Sequence, residues 1–132
     1  AAASLQPTTY SRLLRAVSAG SELLCRLGLA WKPQGTGPGS DWFLTQLFGY
    51  FAAAATAGLV LGLSREQLQS ALGLAYMQAA GGKEAGFGTG GNARAIYPAF
   101  AAMGGVQATL LARSGLVGPL ASLDGVAGFF PL

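Results

Sequence analysis

The chain has no histidine and a single cysteine, and only 10% of its residues are charged. Without an imidazole, histidine-based triads are excluded, and so are the metal sites that imidazoles dominate. Cys25 cannot form an internal disulfide by itself, and no cysteine cluster remains to hold a metal. It reads instead as a small core residue on the apolar face of a helix. Carboxylates would have to supply any metal ligands, and there are five Asp and Glu in all. No metal is therefore expected. Eight Lys and Arg give a net charge of +3, but they are scattered. No basic run interleaved with aromatics is present, so nucleic acid is not an expected partner. A mild preference for small anions is what this balance favours. The first residues, "AAASLQPTTYSRLLRAV", have neither a basic start nor a compact apolar core, so they do not read as a signal peptide and a cytoplasmic setting is expected.

What is abundant is apolar surface, at 52% of 132 residues. The length fits one domain, residues 1–132, able to bury about two-thirds of the surface its unfolded form exposes. So apolar a composition is not that of a disordered chain. It predicts segments covered from several sides, in a compact bundle of four to five helices around a buried, alanine-rich central one. No period-two alternation of useful length occurs, and the fold class is all-α.

The first helix is expected from Tyr10 to Leu27, with Leu13, Leu14, Val17, Leu23, Leu24 and Leu27 on its apolar side and Gly28 at its end. "KPQGTGPGSD", 32–41, is a loop by its glycines and prolines, with Asp41 placed to cap the second helix. Residues 42–63 contain no charge and are long enough to span a bilayer. An all-round apolar helix is buried either in lipid or in protein. The lack of a basic flank favours protein, with a membrane span as the minor alternative. Next, "SREQLQSALGLAYMQAA", 64–80, opens on Ser64 with Gln67 three residues on, the pattern of a capping box. Gly81 and Gly82 end it. Residues 93–113 read as a further helix, with Pro98 near its start and Gly104–Gly105 where another helix crosses closely. The remainder is a loop with one short turn, ending in apolar Phe129 and Phe130.

The glycine-rich turn, 81–92, contains "GFGTGGN" and superficially suggests a phosphate loop. Such loops need a strand before the glycines, and a capped helix stands there instead. The Lys-Ser/Thr pair of a Walker loop is also missing, because Lys83 is followed by Glu84. A weaker expectation survives. A helix starting near Asn92 offers backbone N–H groups of Gly90, Gly91 and Asn92 to an anion, and Arg94 adds a planar fork suited to a carboxylate. Against this, Arg94 reaching solvent is the plainer reading of the residues alone. Lys83 and Glu84 read as a solvated corner, able to move protons if buried. Tyr97 reads as a core residue with a wet hydroxyl, or as an acid.

Taken in order, "GSELLCRLGLAW" (20–31), "GYFAAAATAGLVLGLSREQLQSALGLAYMQAAG" (49–81), "GNARAIYPAFAAMGGVQATLLARSGLVGP" (91–119) and "LDGVAGFF" (123–130) resemble the helical domain of the MmgE/PrpD family. The family includes 2-methylcitrate dehydratase and cis-aconitate decarboxylase. The resemblance implies a cofactor-independent enzyme, usually a homodimer, acting on small di- and tricarboxylates by elimination, decarboxylation or epimerisation. It also implies a histidine ahead of the alanine-rich helix, at a position that falls near Phe43. A second motif, Lys-x-x-His-x-Gly, aligns with "RAIYPA". Arg94 stands for the lysine, Tyr97 for the histidine and Ala99 for the glycine. The chain is far shorter than a typical member, so the second, lid-like domain and half of the site's walls are expected to be missing.

Two functions are expected on this basis. One is a lyase- or isomerase-like enzyme of reduced or altered activity. Arg94, with Gly90, Gly91 and Asn92, binds a carboxylate, and Tyr97, Lys83 or Glu84 moves a proton. Arginine cannot be the base. This expectation has Arg94 and Tyr97 facing a shared, sheltered hollow. The alternative is a non-catalytic helical module, a homo-oligomer or one subunit of a split assembly whose partner supplies the missing domain.

Overall fold

The computed structural model describes residues 2–31, 42–83 and 92–131. It is all-α: among these residues there is no strand, only one isolated antiparallel bridge between Trp42 and Gly82. The helices are α1 (Tyr10–Ala30), α2 (Leu44–Leu61), α3 (Arg65–Tyr76) and α4 (Tyr97–Arg113), with 3-10 turns at Ala2–Ser4 and Ala93–Ile96. Helix α2 is central. It packs against α1 on one side and α4 on another, while α3 leans on both α2 and α4.

Helix α1 begins where the Thr9 hydroxyl accepts from the Arg12 N–H at 3.2 Å. It does not stop at Gly28 as the sequence suggests, but runs on to Ala30. The reason is Trp31, whose ring lies 5.0 Å from Phe129 and edge-on to Phe48 at 6.2 Å. That packing outweighs the roughly 1 kcal/mol a helical glycine costs. The expected leucine stripe holds at Leu13, Leu23, Leu24 and Leu27 and is corrected at Leu14 and Val17. Ala16, Gly20 and Leu27 are the buried residues, whereas Leu14 and Val17 are nearly half exposed. At Gly20 the helices meet so closely that a methyl group would lie 2.8 Å from the Ala52 carbonyl oxygen. Small residues therefore set the closest approach to α2, while Leu27 is buried against Phe48 and Phe51 with Leu23 and Leu24 packed beside it. Cys25 is exposed, not a core residue.

Helix α2 carries Phe48, Phe51, Ala54 and Val60 in near-complete burial. Each buried phenylalanine contributes on the order of 2 kcal/mol. Gly62, at φ 69°, ends the helix in the left-handed region. Gln6 donates to the Val60 carbonyl at 2.6 Å and Arg12 Nε to that of Leu59 at 3.2 Å, so the segment before α1 and its first turn cap the free carbonyls of α2. Both α2 and the stretch Ala93–Arg113 are long and apolar enough to cross a membrane, by length and composition; 61% of the first and 33% of the second is buried inside the molecule.

The capping box of α3 forms as expected. Gln67 N–H donates to the Ser64 hydroxyl at 3.2 Å, and Ser64 N–H to the Gln67 side chain at 3.0 Å. Glu66 in this first turn is held below the ordinary carboxylate range, first by its own backbone N–H and then by the Ser64 hydroxyl, which donates at 2.8 Å. The helix ends earlier than residue 80. Gln78 and Ala79 N–H groups bond three residues back, to Ala75 and Tyr76, tightening the last turn. Helix α4 crosses α2 at the expected glycines. A methyl at Gly105 would lie 2.7 Å from Ala54 N and 2.8 Å from Tyr50 O. Beside it, the buried Thr109 hydroxyl donates toward Ala54 O and Gly105 O. The closing segment returns Phe129 into the aromatic cluster of Trp31, Phe48 and Phe51.

Candidate functional site

Three chain ends meet at one corner of the bundle: the start of α2, the turn after α3 and the lead into α4. Phe43, just before α2, donates its N–H to the Gly81 carbonyl at 2.7 Å, and Trp42 bridges Gly82. The close seat depends on glycine at 81. Its φ is +149°, and a methyl there would lie 3.0 Å from both Cβ and Oε1 of Gln46. Gln46, buried in the first turn of α2, is a polar residue of this corner that the sequence reading did not single out. Only its setting inside a charge-free run could have drawn attention to it.

The lead into α4 is the 3-10 turn Ala93–Ile96, preceded by Asn92, whose side chain makes no capping bond. The expected start near Asn92 is thus met by a 3-10 turn, and the α-helix proper begins at Tyr97 with Pro98 in its first turn. Arg94 stands in this turn, and Tyr97 follows directly after it as the first residue of α4. The Tyr97 ring stacks on Phe43 with centroids 5.0 Å apart and planes at 15°. Phe43, near which the resemblance implies a histidine, and Tyr97, which it sets in place of another, are thus in contact as an aromatic stack.

The placement of the remaining candidates is mixed. Tyr97 and Lys83 are half-buried, Lys83 following directly on the Gly82 bridge. Arg94 and Asn92 are exposed. The guanidinium is not enclosed as the sequence reading expected, because its short turn at the bundle's edge packs chiefly against the helix it leads into. Glu84, Gly90 and Gly91 lie outside the described residues, as does Asp41. Among the described residues no group of three or more His, Cys, Asp or Glu gathers to hold a metal.

A concavity of about 570 Å³ lies elsewhere, at the start of α1, lined by Pro7, Thr8, Thr9, Arg12 and Arg15. It adjoins the C-terminal end of α2, to which Arg12 bonds. It is therefore about 25 Å, the length of α2, from the Phe43–Tyr97 corner. Arg12 already serves there as a helix cap.

The chemistry open to the corner is set by its residues. A guanidinium and an ammonium can hold a carboxylate; a phenol can donate a hydrogen bond; none of the described residues brings an imidazole. Comparison with known proteins agrees with this kinship. The model of the MmgE/PrpD N-terminal domain matches residues 1–132. A cis-aconitate decarboxylase-like protein, oryM, of Aspergillus oryzae is 42% identical over 77 residues, which are 58% of this chain and 16% of that protein. The matched stretch thus spans about a sixth of the relative's length.

Proposed function

Since the chain belongs to the MmgE/PrpD family, by its N-terminal domain, we propose that it binds a small carboxylate at the corner formed by residues 42–43, 81–83 and 92–97, as a lyase- or isomerase-like protein of altered activity acting in the cytoplasm. The observation that carries this reading is the contact between Phe43 and Tyr97. It supports the reading because the resemblance implies one histidine near Phe43 and another at Tyr97, and these two residues touch. Arg94 is the carboxylate-binding group, with Lys83 as a second cation on the other wall. Arg94 cannot remove a proton at ordinary pH, so replacing a lysine by arginine favours binding over abstraction. Tyr97 is the donor, positioned to protonate or hydrogen-bond an oxygen next to the bound carboxylate. The Aspergillus relative is described as decarboxylase-like, which puts elimination of carbon dioxide or water among the reactions to test.

The test is a panel of succinate-, citrate- and aconitate-like acids in deuterated buffer with the full chain, followed by NMR. Binding that weakens at least tenfold in Arg94→Gln is expected, with slow deuterium exchange next to the carboxylate that is lost in Tyr97→Phe. A panel with neither binding nor exchange contradicts the reading.

A second reading is favoured by a different observation. Ile96, Phe100 and Met103 form an apolar ridge along the lead into α4 and its first turns, exposed by 52%, 44% and 64%. A non-catalytic helical module, docking this ridge against a second copy or against a partner that supplies the remaining domain, accounts for it directly. Light scattering on the purified chain separates the two: a well-behaved monomer contradicts the homo-oligomeric form of this reading.

A further inference from the structure

We infer that Gln46 is a further binding residue of this corner: its carboxamide, set at the N-terminus of α2, donates a hydrogen bond to an oxygen of the bound acid. The inference rests on the carboxylate-binding reading above and deepens it. Gln46 stands in the first turn of α2, within the charge-free run 42–63, and is only 8% exposed. Among the described residues no hydrogen bond reaches its carboxamide. Yet that group is not one of the sealed polar atoms without a partner, which are Thr8 Oγ1 and Trp31 Nε1. The small exposed part of Gln46 therefore includes its polar tip. A buried amide left this way costs stability, and a methionine of the same length would fill the space without that cost. A group of this kind calls for something that completes it. Its surroundings point to an anion. A methyl at Gly81 would lie 3.0 Å from Oε1 and 3.1 Å from Cδ, so the carboxamide rests on Gly81, whose carbonyl takes the Phe43 N–H at 2.7 Å. It thus lies at the start of α2 and not along its flank. Phe43, at the N-cap, has no side-chain oxygen to cap the helix, and the first turn holds no acid. The N–H groups of that turn and the positive end of the helix dipole are left to favour a negative charge. Gln46 adds two N–H donors at the same place.

The probes are succinate, citrate and aconitate, titrated into the full chain, and the tightest of them is carried forward. On the unmodified chain the Gln46 side-chain N–H resonances are expected to shift downfield as that acid saturates, because they gain a charged acceptor. Gln46→Met should weaken the acid about tenfold, the worth of one hydrogen bond to a charged group. Its urea midpoint should equal or exceed that of the unmodified chain. Resonances that stay fixed at saturation overturn the inference. So does a Gln46→Met chain of unchanged affinity, and a lower midpoint beside it marks a purely structural glutamine. Should the variant not fold, the resonances of the unmodified chain decide. If Arg94→Gln weakens the acid while the Gln46 resonances stay fixed, the inference fails and the carboxylate site survives. If none of the three acids binds, both fail.

Discussion

At Gly105 and Gly28 the same residue type meets opposite surroundings. A methyl at Gly105 would press on the Ala54 N and Tyr50 O of α2, backbone atoms that cannot swing aside. At Gly28, inside α1, it would meet nothing within 4 Å. Gly105→Ala should therefore destabilise by about 1–3 kcal/mol through overpacking. Gly28→Ala should stabilise by about 0.5–1 kcal/mol, the ordinary cost of a helical glycine. Urea unfolding of the two variants measures both, and equal signs would contradict the packing described. Glu66 gives a residue-scale test in pH. Its carboxyl is held low by its backbone N–H and by Ser64. A depressed carboxyl adds stability above its unfolded value and loses it as pH falls through the folded one. Ser64→Ala should move the Glu66 midpoint upward in an NMR titration, back toward an ordinary glutamate.

Among the elements, α3 was the most legible, because its signals are local. Ser64 and Gln67 sit three apart, and their reciprocal bonds need nothing beyond the first turn. Ser64→Ala should cost α3 about 1 kcal/mol, seen as a lower urea midpoint with unchanged slope. The crossing at Gly104–Gly105 was legible for a similar reason: paired glycines in an apolar helix have few uses other than close approach. The face of α1 was legible only in part. Leu23, Leu24 and Leu27 do pack on the core, but periodicity assigns Leu14 and Val17 there as well, and these are nearly half exposed. In that first half Gly20 sets the distance to α2, and the approach there admits only small side chains. The end of α1 was misplaced for the complementary reason, since Trp31 is held by Phe129, nearly a hundred residues away in sequence. At the candidate site, the residue types of Arg94 and Tyr97 and their spacing could be read directly. The stack on Phe43 could not, because it depends on how the starts of α2 and α4 come together.

For the molecule as a whole, the surplus apolar composition ends up in two places. Part lies around α2, where Phe48, Phe51 and Val60 are sealed. The rest remains outside, on Ile96, Phe100 and Met103 and on Leu14 and Val17. If the α4 ridge is an interface between copies, the chain should scatter light as a dimer or larger at micromolar concentration. Met103→Glu should then shift it to monomer without changing its helicity, because Met103 is 64% exposed and its replacement disturbs no core contact. A wild-type monomer would remove this explanation of the ridge. The claim on which the functional account turns is that Phe43, Tyr97 and Arg94 form one binding corner. Its most direct measurement is an aromatic-labelled NMR experiment on the full chain, recording contacts between the Phe43 and Tyr97 rings and following Arg94 during a carboxylate titration. The account predicts inter-ring cross-peaks and joint movement of all three residues with one dissociation constant. Absent cross-peaks, or shifts that bypass Arg94, would contradict it.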